Sequence, residues 1–384
     1  MNKLKNIGIT ALAGTLVSLS AAQAGGVSVS GSWELSYTNL NKEKVTGNKL
    51  GMNKNITFGS SGDITDGGGV TWATTVAMSD AGGLSSASMN INMGGIATLA
   101  YDSGTGGYGA NAVDNIVPTA WEEIDYGLST GIVDVGAVSK SKGVINLTVK
   151  APTAGTGLSL SYVSRVGGGH VADGATSGEV TGGRGIDAVL DLVDYSSSHF
   201  AYRLGFAGEM ELKDHTCEQT NTEAHEACNA SFENNPYAGT AYTKLALGPI
   251  HFGVQATFKD PMTTSTTGIA NFRSVVGGAA FVVGDTLSFS YGKGYEKRKY
   301  NDAMRGLTIG GTYDTQGNAH DASGLNLGQT GPNQWERIAY HGYSAAINMG
   351  PVALKATRNY VGDAGENGTG GPKNHSEVNL SIAF

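Results

Sequence analysis

From residue 27 the chain reads VSVSGSWELSY, in which Val27, Val29, Trp33, Leu35 and Tyr37 alternate with Ser28, Ser30, Ser32, Glu34 and Ser36. A period of two puts the apolar side chains on one face of a strand and the polar ones on the other. The alternation returns in Val70, Trp72, Thr74, Val76 and Met78, in Met89, Ile91 and Met93, in Phe200, Tyr202, Leu204 and Phe206, and in Ile250, Phe252, Val254, Ala256 and Phe258. Each segment has about the 9 to 11 residues with which a tilted strand crosses a bilayer. One strand per patterned segment gives sixteen, starting near residues 27, 50, 69, 86, 96, 144, 157, 185, 199, 237, 250, 271, 286, 334, 351 and 373. Gly306 to Asp314 also alternates and is read as a hairpin arm inside a long loop; an eighteen-stranded arrangement is the alternative.

The connections separate a closed membrane barrel from a soluble sandwich. Gly94-Gly95, Gly248-Pro249, Gly284-Asp285 and Gly350-Pro351 mark short turns, whereas residues 102–143, 165–184, 213–236, 293–333 and 361–372 form long connections. Their alternation gathers short turns at one rim and long loops at the other, the arrangement of transmembrane β-barrels. Sixteen strands enclose an aqueous lumen, whereas about eight are filled by their own side chains. The polar face agrees, as in Gly253, Gln255 and Thr257 between the outward residues of one strand.

Composition supports an all-β reading: 59 Gly in 384 residues is poor helix chemistry. Outside the N-terminal segment, no apolar run approaches the roughly 18 residues that a spanning helix needs. Lys3 and Lys5, the uncharged stretch Ile7 to Leu19 and the small-residue exit Ala22-Gln23-Ala24 read as a Sec signal peptide over residues 1–24, leaving a barrel domain of residues 25–384. The formal charge of −8 disfavours a nucleic-acid partner, which would require a basic face.

Cys217 and Cys228 lie in a polar stretch of a chain bound for an oxidising compartment, which points to a disulfide within one loop. With His215 and His225 they could instead supply four zinc ligands. Asp363 and Glu366 in DAGENG are candidates for loop-bound calcium, with solvated loop charges as the alternative. Gly104 to Gly109 matches G-x-G-x-x-G but lacks the βαβ setting of a dinucleotide site and reads as a flexible loop. No Ser, His and acid can be assigned to one patch, so catalysis has no positive evidence and no cofactor is expected.

The C-terminal HSEVNLSIAF alternates Val378, Leu380, Ile382 and Phe384 outward and ends on an aromatic residue. With VSVSGSWELSY near the start and a long Gly-rich connection after the fifth strand, the chain resembles the general porins of Gram-negative bacteria, particularly the alphaproteobacterial type. The resemblance implies a homotrimer in the outer membrane, surrounded by lipid and lipopolysaccharide. It implies that Phe384 is the signal read by the barrel assembly machinery. It also implies that the third external loop, residues 102–143 by count, folds into the lumen as a charged constriction. Asp102, Asp114, Glu122, Glu123 and Asp125 would form its acidic lip, with Asp134 nearby and Lys140 and Lys142 near its end. The facing basic wall would draw on Lys150, Arg203, Lys244 and Lys355, all of inward parity. Such a pore passes small hydrophilic solutes and ions passively, and the acidic excess implies mild cation preference.

Overall fold

The computed structural model describes residues 26–40, 48–64, 69–79, 83–104, 107–128, 131–150, 155–167, 183–197, 199–212, 235–262, 269–300, 335–362 and 374–384. Residues 1–24, read above as a signal peptide, Cys217, Cys228, His215, His225, Asp363, Glu366 and residues 306–314 lie outside them.

Sixteen antiparallel strands form one closed barrel, each hydrogen-bonded to its sequence neighbours. They are β1 (Val27–Leu40), β2 (Leu50–Asp63), β3 (Val70–Met78), β4 (Leu84–Met93), β5 (Ala97–Ser103), β6 (Lys142–Lys150), β7 (Gly157–Val163) and β8 (Arg184–Ser196). The second half comprises β9 (Phe200–Leu212), β10 (Tyr237–Leu247), β11 (Ile250–Asp260), β12 (Ile269–Val283), β13 (Leu287–Tyr300), β14 (Trp335–Met349), β15 (Val352–Gly362) and β16 (Asn374–Ala383). The wall is uneven: β5 and β7 have 7 residues, whereas β12 and β14 have 15.

Alternation produces the two faces. On β11 the even-numbered Ile250, Phe252 and Val254 are exposed on the outside, whereas His251, Gly253, Gln255 and Thr257 are buried inside. Among the described residues no helix is long and apolar enough to cross a membrane. The short turns rely on glycine in the left-handed region, with φ of 56° at Gly248, 57° at Gly284 and 65° at Gly350.

Two boundaries differ from expectation. β13 continues to Tyr300, although residues 293–333 read as one connection. Lys293, Lys297 and Lys299 occupy outward positions there and interrupt the apolar pattern without ending the ladder to β12 and β14. The connection expected over residues 102–143 shortens to residues 104–141, because Asp102 belongs to β5 and Lys142 to β6.

The barrel closes through β1 and β16, with Trp33 opposite Ile382 and Tyr37 opposite Val378. Gly31 N–H donates to Phe384 O (2.9 Å) and Phe384 N–H donates back to Gly31 O (3.0 Å). The Phe384 ring occupies the space above Gly31, where a Cβ would lie 2.6 Å from Cζ.

The opposite faces of adjacent residues make a direct test. Val254→Arg on the outer face of β11 should destabilise the barrel by about 2–4 kcal/mol if that position lies at mid-membrane. Asn55→Lys, which enters the lumen from β2, should change stability by no more than about 0.5 kcal/mol. Denaturant unfolding of the lipid-embedded protein measures both; equal costs would invalidate the assigned faces.

Candidate functional site

The inner faces of β11 to β14 carry a glycine on each strand in a single cross-strand row. Gly253 is opposite Gly278, Gly278 opposite Gly292, and Gly292 opposite Gly342. The row continues through Asn359 on β15 to His375 on β16. The outgoing arm of the 104–141 loop lies along it. A Cβ would stand 2.5 Å from Pro118 Cδ at Gly253, 2.7 Å from Val117 Cγ1 at Gly278, 2.6 Å from Ile124 Cγ2 at Gly292 and 2.9 Å from Ile124 Cα at Gly342. None of the four has a left-handed φ, so the close approach of the loop, by its backbone at Gly253 and Gly342 and by the Val117 and Ile124 side chains at Gly278 and Gly292, explains them.

Polar side chains beside the row hold the loop backbone. Ala120 N–H donates to Ser290 Oγ (2.9 Å) and Ser344 Oγ (3.2 Å), and Trp121 N–H donates to Ser344 Oγ (3.1 Å). Gln255 accepts from Ile116 N–H (3.2 Å) and donates to Val113 O (3.1 Å). Asn359 Nδ2 donates to Glu123 O (2.7 Å) and Tyr126 O (3.0 Å). On the returning arm, Val133 N–H donates to the Glu296 carboxylate and Val138 N–H to Glu209 (3.0 Å). Apolar contacts complete the seat: Ile124 packs with Ile338, Tyr340 and Val361, and Val113 and Ile116 with Tyr242 and Val189.

This seating concentrates acid on the loop. Asp125 accepts Ile132 N–H at 2.6 Å, tying the two arms together. Buried Asp114 accepts from Val135 N–H (3.3 Å) and pairs with Lys140 Nζ (3.1 Å), which also contacts Asp134. A cavity of about 300 Å³ between the arms is lined by Asp114, Glu123, Asp125, Lys140 and, from the wall, Gln255 and Ser274. Burial pushes the Asp114 carboxyl up, with Asp134 adding to the effect and Lys140 opposing it. Burial also raises Asp125, against the Ile132 hydrogen bond. The Glu122 carboxyl is pushed up to about 7, first by burial and then by Glu377, with Lys355 opposing and Glu34 adding. Glu123 rises to about 8 through burial and the neighbouring Asp125, Asp114 and Glu122. For Lys140, burial favours the neutral form, but Asp114 and Asp134 outweigh it and hold the ammonium above its ordinary range.

The remaining expected residues occupy different places. Asp102 is buried in the wall at the loop's root, opposite Val144. Arg203 makes a two-pronged ion pair with Asp191 (2.8 and 2.9 Å), and Tyr242 donates to the same carboxylate (2.7 Å). Lys244 lies between Arg203 and Gly253 in the ladder and is buried. Lys355 is 1% exposed, with Nζ 6.0 Å from the centre of the Trp121 ring. Lys150 stands at the last position of β6, beside the connection to β7.

These placements correct the basic wall. Lys244 and Lys355 lie on the side of the barrel that carries the loop, Arg203 is neutralised by Asp191, and Lys150 is at a strand end. Inward parity selects a face but neither a sector nor a height. Around Glu122 the neighbouring strands instead contribute Glu34 from β1 and Glu377 from β16. The inner positions of β1 and β2 stay open to solvent and are chiefly uncharged, as in Ser36, Asn53, Asn55 and Thr57. The glycine row and the Ser290–Ser344 pair were missed as site residues; inward glycines on four successive strands are the signal that would have revealed them.

No protein-family model and no curated protein sequence matches this chain. Solved structures do. A Salmonella typhi OmpF complex with daunomycin gives a TM-score of 0.59 at 9% identity, covering 93% of this chain and 97% of that one. OmpT, an outer membrane protein of Vibrio cholerae, gives 0.54 at 10% identity over 96% and 100%. A mutant of the Rhodopseudomonas blastica porin gives 0.51 at 13% identity over 94% and 100%. The chain has the fold of a bacterial outer-membrane porin.

Adding side chains to the glycine row should displace the loop while sparing the barrel. Gly253→Val with Gly292→Val overpacks the seat at a cost of about 1–3 kcal/mol per site. Limited proteolysis should cut residues 116–127 in this variant and not in the parent, whereas equal protection would show that the row is not the seat.

The acidic lip should also titrate near neutrality. A raised carboxyl pKa leaves the group neutral at lower pH and ionised above it, so negative charge on Glu122 and Glu123 grows as pH rises through about 7 to 8. If the protein conducts, its cation preference, read as reversal potential in a salt gradient, should increase from pH 6 to pH 9. Glu123→Gln should flatten the upper part of that curve, and an invariant reversal potential would count against these residues lining the path.

Proposed function

We propose that this protein is a porin of the cell outer membrane, forming a water-filled channel for passive diffusion of small hydrophilic solutes and ions. The observation that carries the reading is the loop laid against one side of a sixteen-stranded wall while polar inner positions of β1 and β2 remain open to solvent. A barrel of this size encloses more space than its side chains fill, and a loop fixed inside narrows it to an eyelet.

The eyelet selects by charge. Glu122, Glu123 and Asp125 on the loop, with Glu34 and Glu377 near Glu122, favour cations over anions without a binding step. Asp102 and Asp114 set the loop's root and its internal packing. Lys150, Lys244 and Lys355 then tune the potential from the wall, with Arg203 held in its pair with Asp191, rather than forming the opposite pole of a strong transverse field.

The wider reading follows the porin likeness. Residues 1–24 direct Sec export and are removed, Phe384 is recognised by the barrel assembly machinery, and the mature chain assembles as a homotrimer of the alphaproteobacterial type among lipid and lipopolysaccharide. Cys217 and Cys228 close a disulfide within their loop. Transport involves no catalytic step, nucleic acid or cofactor, and calcium at Asp363 and Glu366 would be a loop accessory.

Planar-bilayer recordings test the proposal. The purified protein should give large, weakly cation-selective steps, and the combined Glu122→Gln, Glu123→Gln and Asp125→Asn variant should keep the steps and lose the preference. Folded protein that gives no steps would favour a substrate-specific channel or a surface protein without a pore.

A further inference from the structure

Beneath the outgoing arm of the loop, β13 to β15 offer small or neutral side chains, as in Gly292, Gly342, Ser290, Ser344 and Asn359. Lys355 breaks that pattern. Its ladder row runs from Ala346 through Lys355 and Asn379 to Ser36. Two residues along the same inner face from Asn379 stands Glu377, and two residues from Ser36 stands Glu34. Trp121 closes over the row: Ser344 Oγ holds its N–H (3.1 Å), and its ring centre lies 6.0 Å from Lys355 Nζ. Lys355 is thereby almost wholly covered, whereas Glu122, the next loop residue, is half-buried.

Covering an ammonium group sacrifices its hydration, and a Met or Leu would fill the space under the indole without that loss. The position therefore calls for an electrostatic reason. Glu34 and Glu122 are the carboxylates whose charge acts on Lys355. From the side of Glu122, burial, Glu377 and Glu34 all favour the neutral carboxyl, and Lys355 opposes them. The other titratable neighbours are Glu123 on the loop, His375, whose Nε2 is 3.5 Å from Glu377, and Tyr126, packed edge-on against His375 at 5.3 Å. Under an aromatic cover, a charge acts more strongly on a partly buried neighbour than on an ion in the aqueous path, where water and salt screen it.

We propose that Lys355 is a positioning residue of the eyelet: covered by Trp121, it acts through Glu122, keeping that carboxylate charged, and not as a cationic pole of the pore wall. The inference rests on the eyelet reading proposed above and deepens it. A basic side chain lining the path repels cations, whereas Lys355 sustains the charge that attracts them.

The test follows cation preference, as reversal potential in a salt gradient, from about pH 5 to about pH 9.5 in Glu123→Gln protein, so that Glu122 supplies the step near neutrality. Adding Lys355→Met should move the midpoint up by about one pH unit, a roughly tenfold tighter hold on the proton. Lys355→Arg should keep the parent midpoint, and Glu34→Gln, which removes an acidic neighbour, should lower it. Lys54→Gln, an outward cation on β2, should leave it unmoved. A lysine acting directly from the wall would instead shift the whole curve on its removal and leave the midpoint in place; that result would overturn the proposal, as would a midpoint that moves equally in Lys355→Arg. A second readout needs no conduction. The rate at which Glu122→Cys reacts with iodoacetamide, followed peptide by peptide by mass spectrometry, reports the thiol's titration, and Lys355→Met should move it the same way. A shifted thiol in protein that gives no steps rejects the channel alone, and steps with both midpoints unmoved reject the role of Lys355 alone. A heat-induced shift in gel mobility establishes that each variant is folded, and Lys355→Gln serves if Lys355→Met is not.

Discussion

The interior depends on how closely a loop can approach a sheet. Gly253, Gly278, Gly292 and Gly342 remove four side chains from one row, and Val117, Pro118 and Ile124 of the loop occupy the space. A loop inside a solvent-filled barrel needs partners for its backbone, because each unpaired polar group that it buries costs free energy. The flanking Ser290, Ser344, Gln255 and Asn359 provide those partners. Steric clearance and hydrogen bonding therefore coincide along a single line of the wall.

That line also decides where charge can act. Once the loop is seated, Lys355 is covered by Trp121 and Lys244 is buried beside the row, while Glu122 and Glu123 stay half-buried on the loop. Burial then works on the carboxyl groups twice in the same direction: it disfavours their ionised form and brings them close enough to repel one another. The seat thus positions the lip and sets the state of its acids.

Much of the architecture was legible in the sequence because a period of two survives wherever one face is apolar. Every strand begins within two residues of the position that alternation predicted. Reading failed where the outer face stopped being apolar, as at Lys293, Lys297 and Lys299, which hid the last turns of β13. It failed again for the site, where parity identified Arg203, Lys244 and Lys355 as inward but could not tell that Asp191 lies beside the first or that a loop covers the third. Contacts such as Gly342 with Ile124 join residues more than two hundred positions apart, and no local pattern encodes them.

The closure between Gly31 and Phe384 bears on how the molecule comes into being. The two residues are 353 positions apart, and their reciprocal hydrogen bonds join the first strand to the end of the sixteenth. Until that seam forms, β1 and β16 each present an open edge of unpaired backbone, a template for pairing with the wrong chain. A nascent chain still missing β16 has no route to a closed wall, however well its earlier hairpins form. Folding is consequently a late event of the whole polypeptide, with the longest loop-closure entropy in the molecule opposing its final step, and the interval before it is when aggregation threatens most.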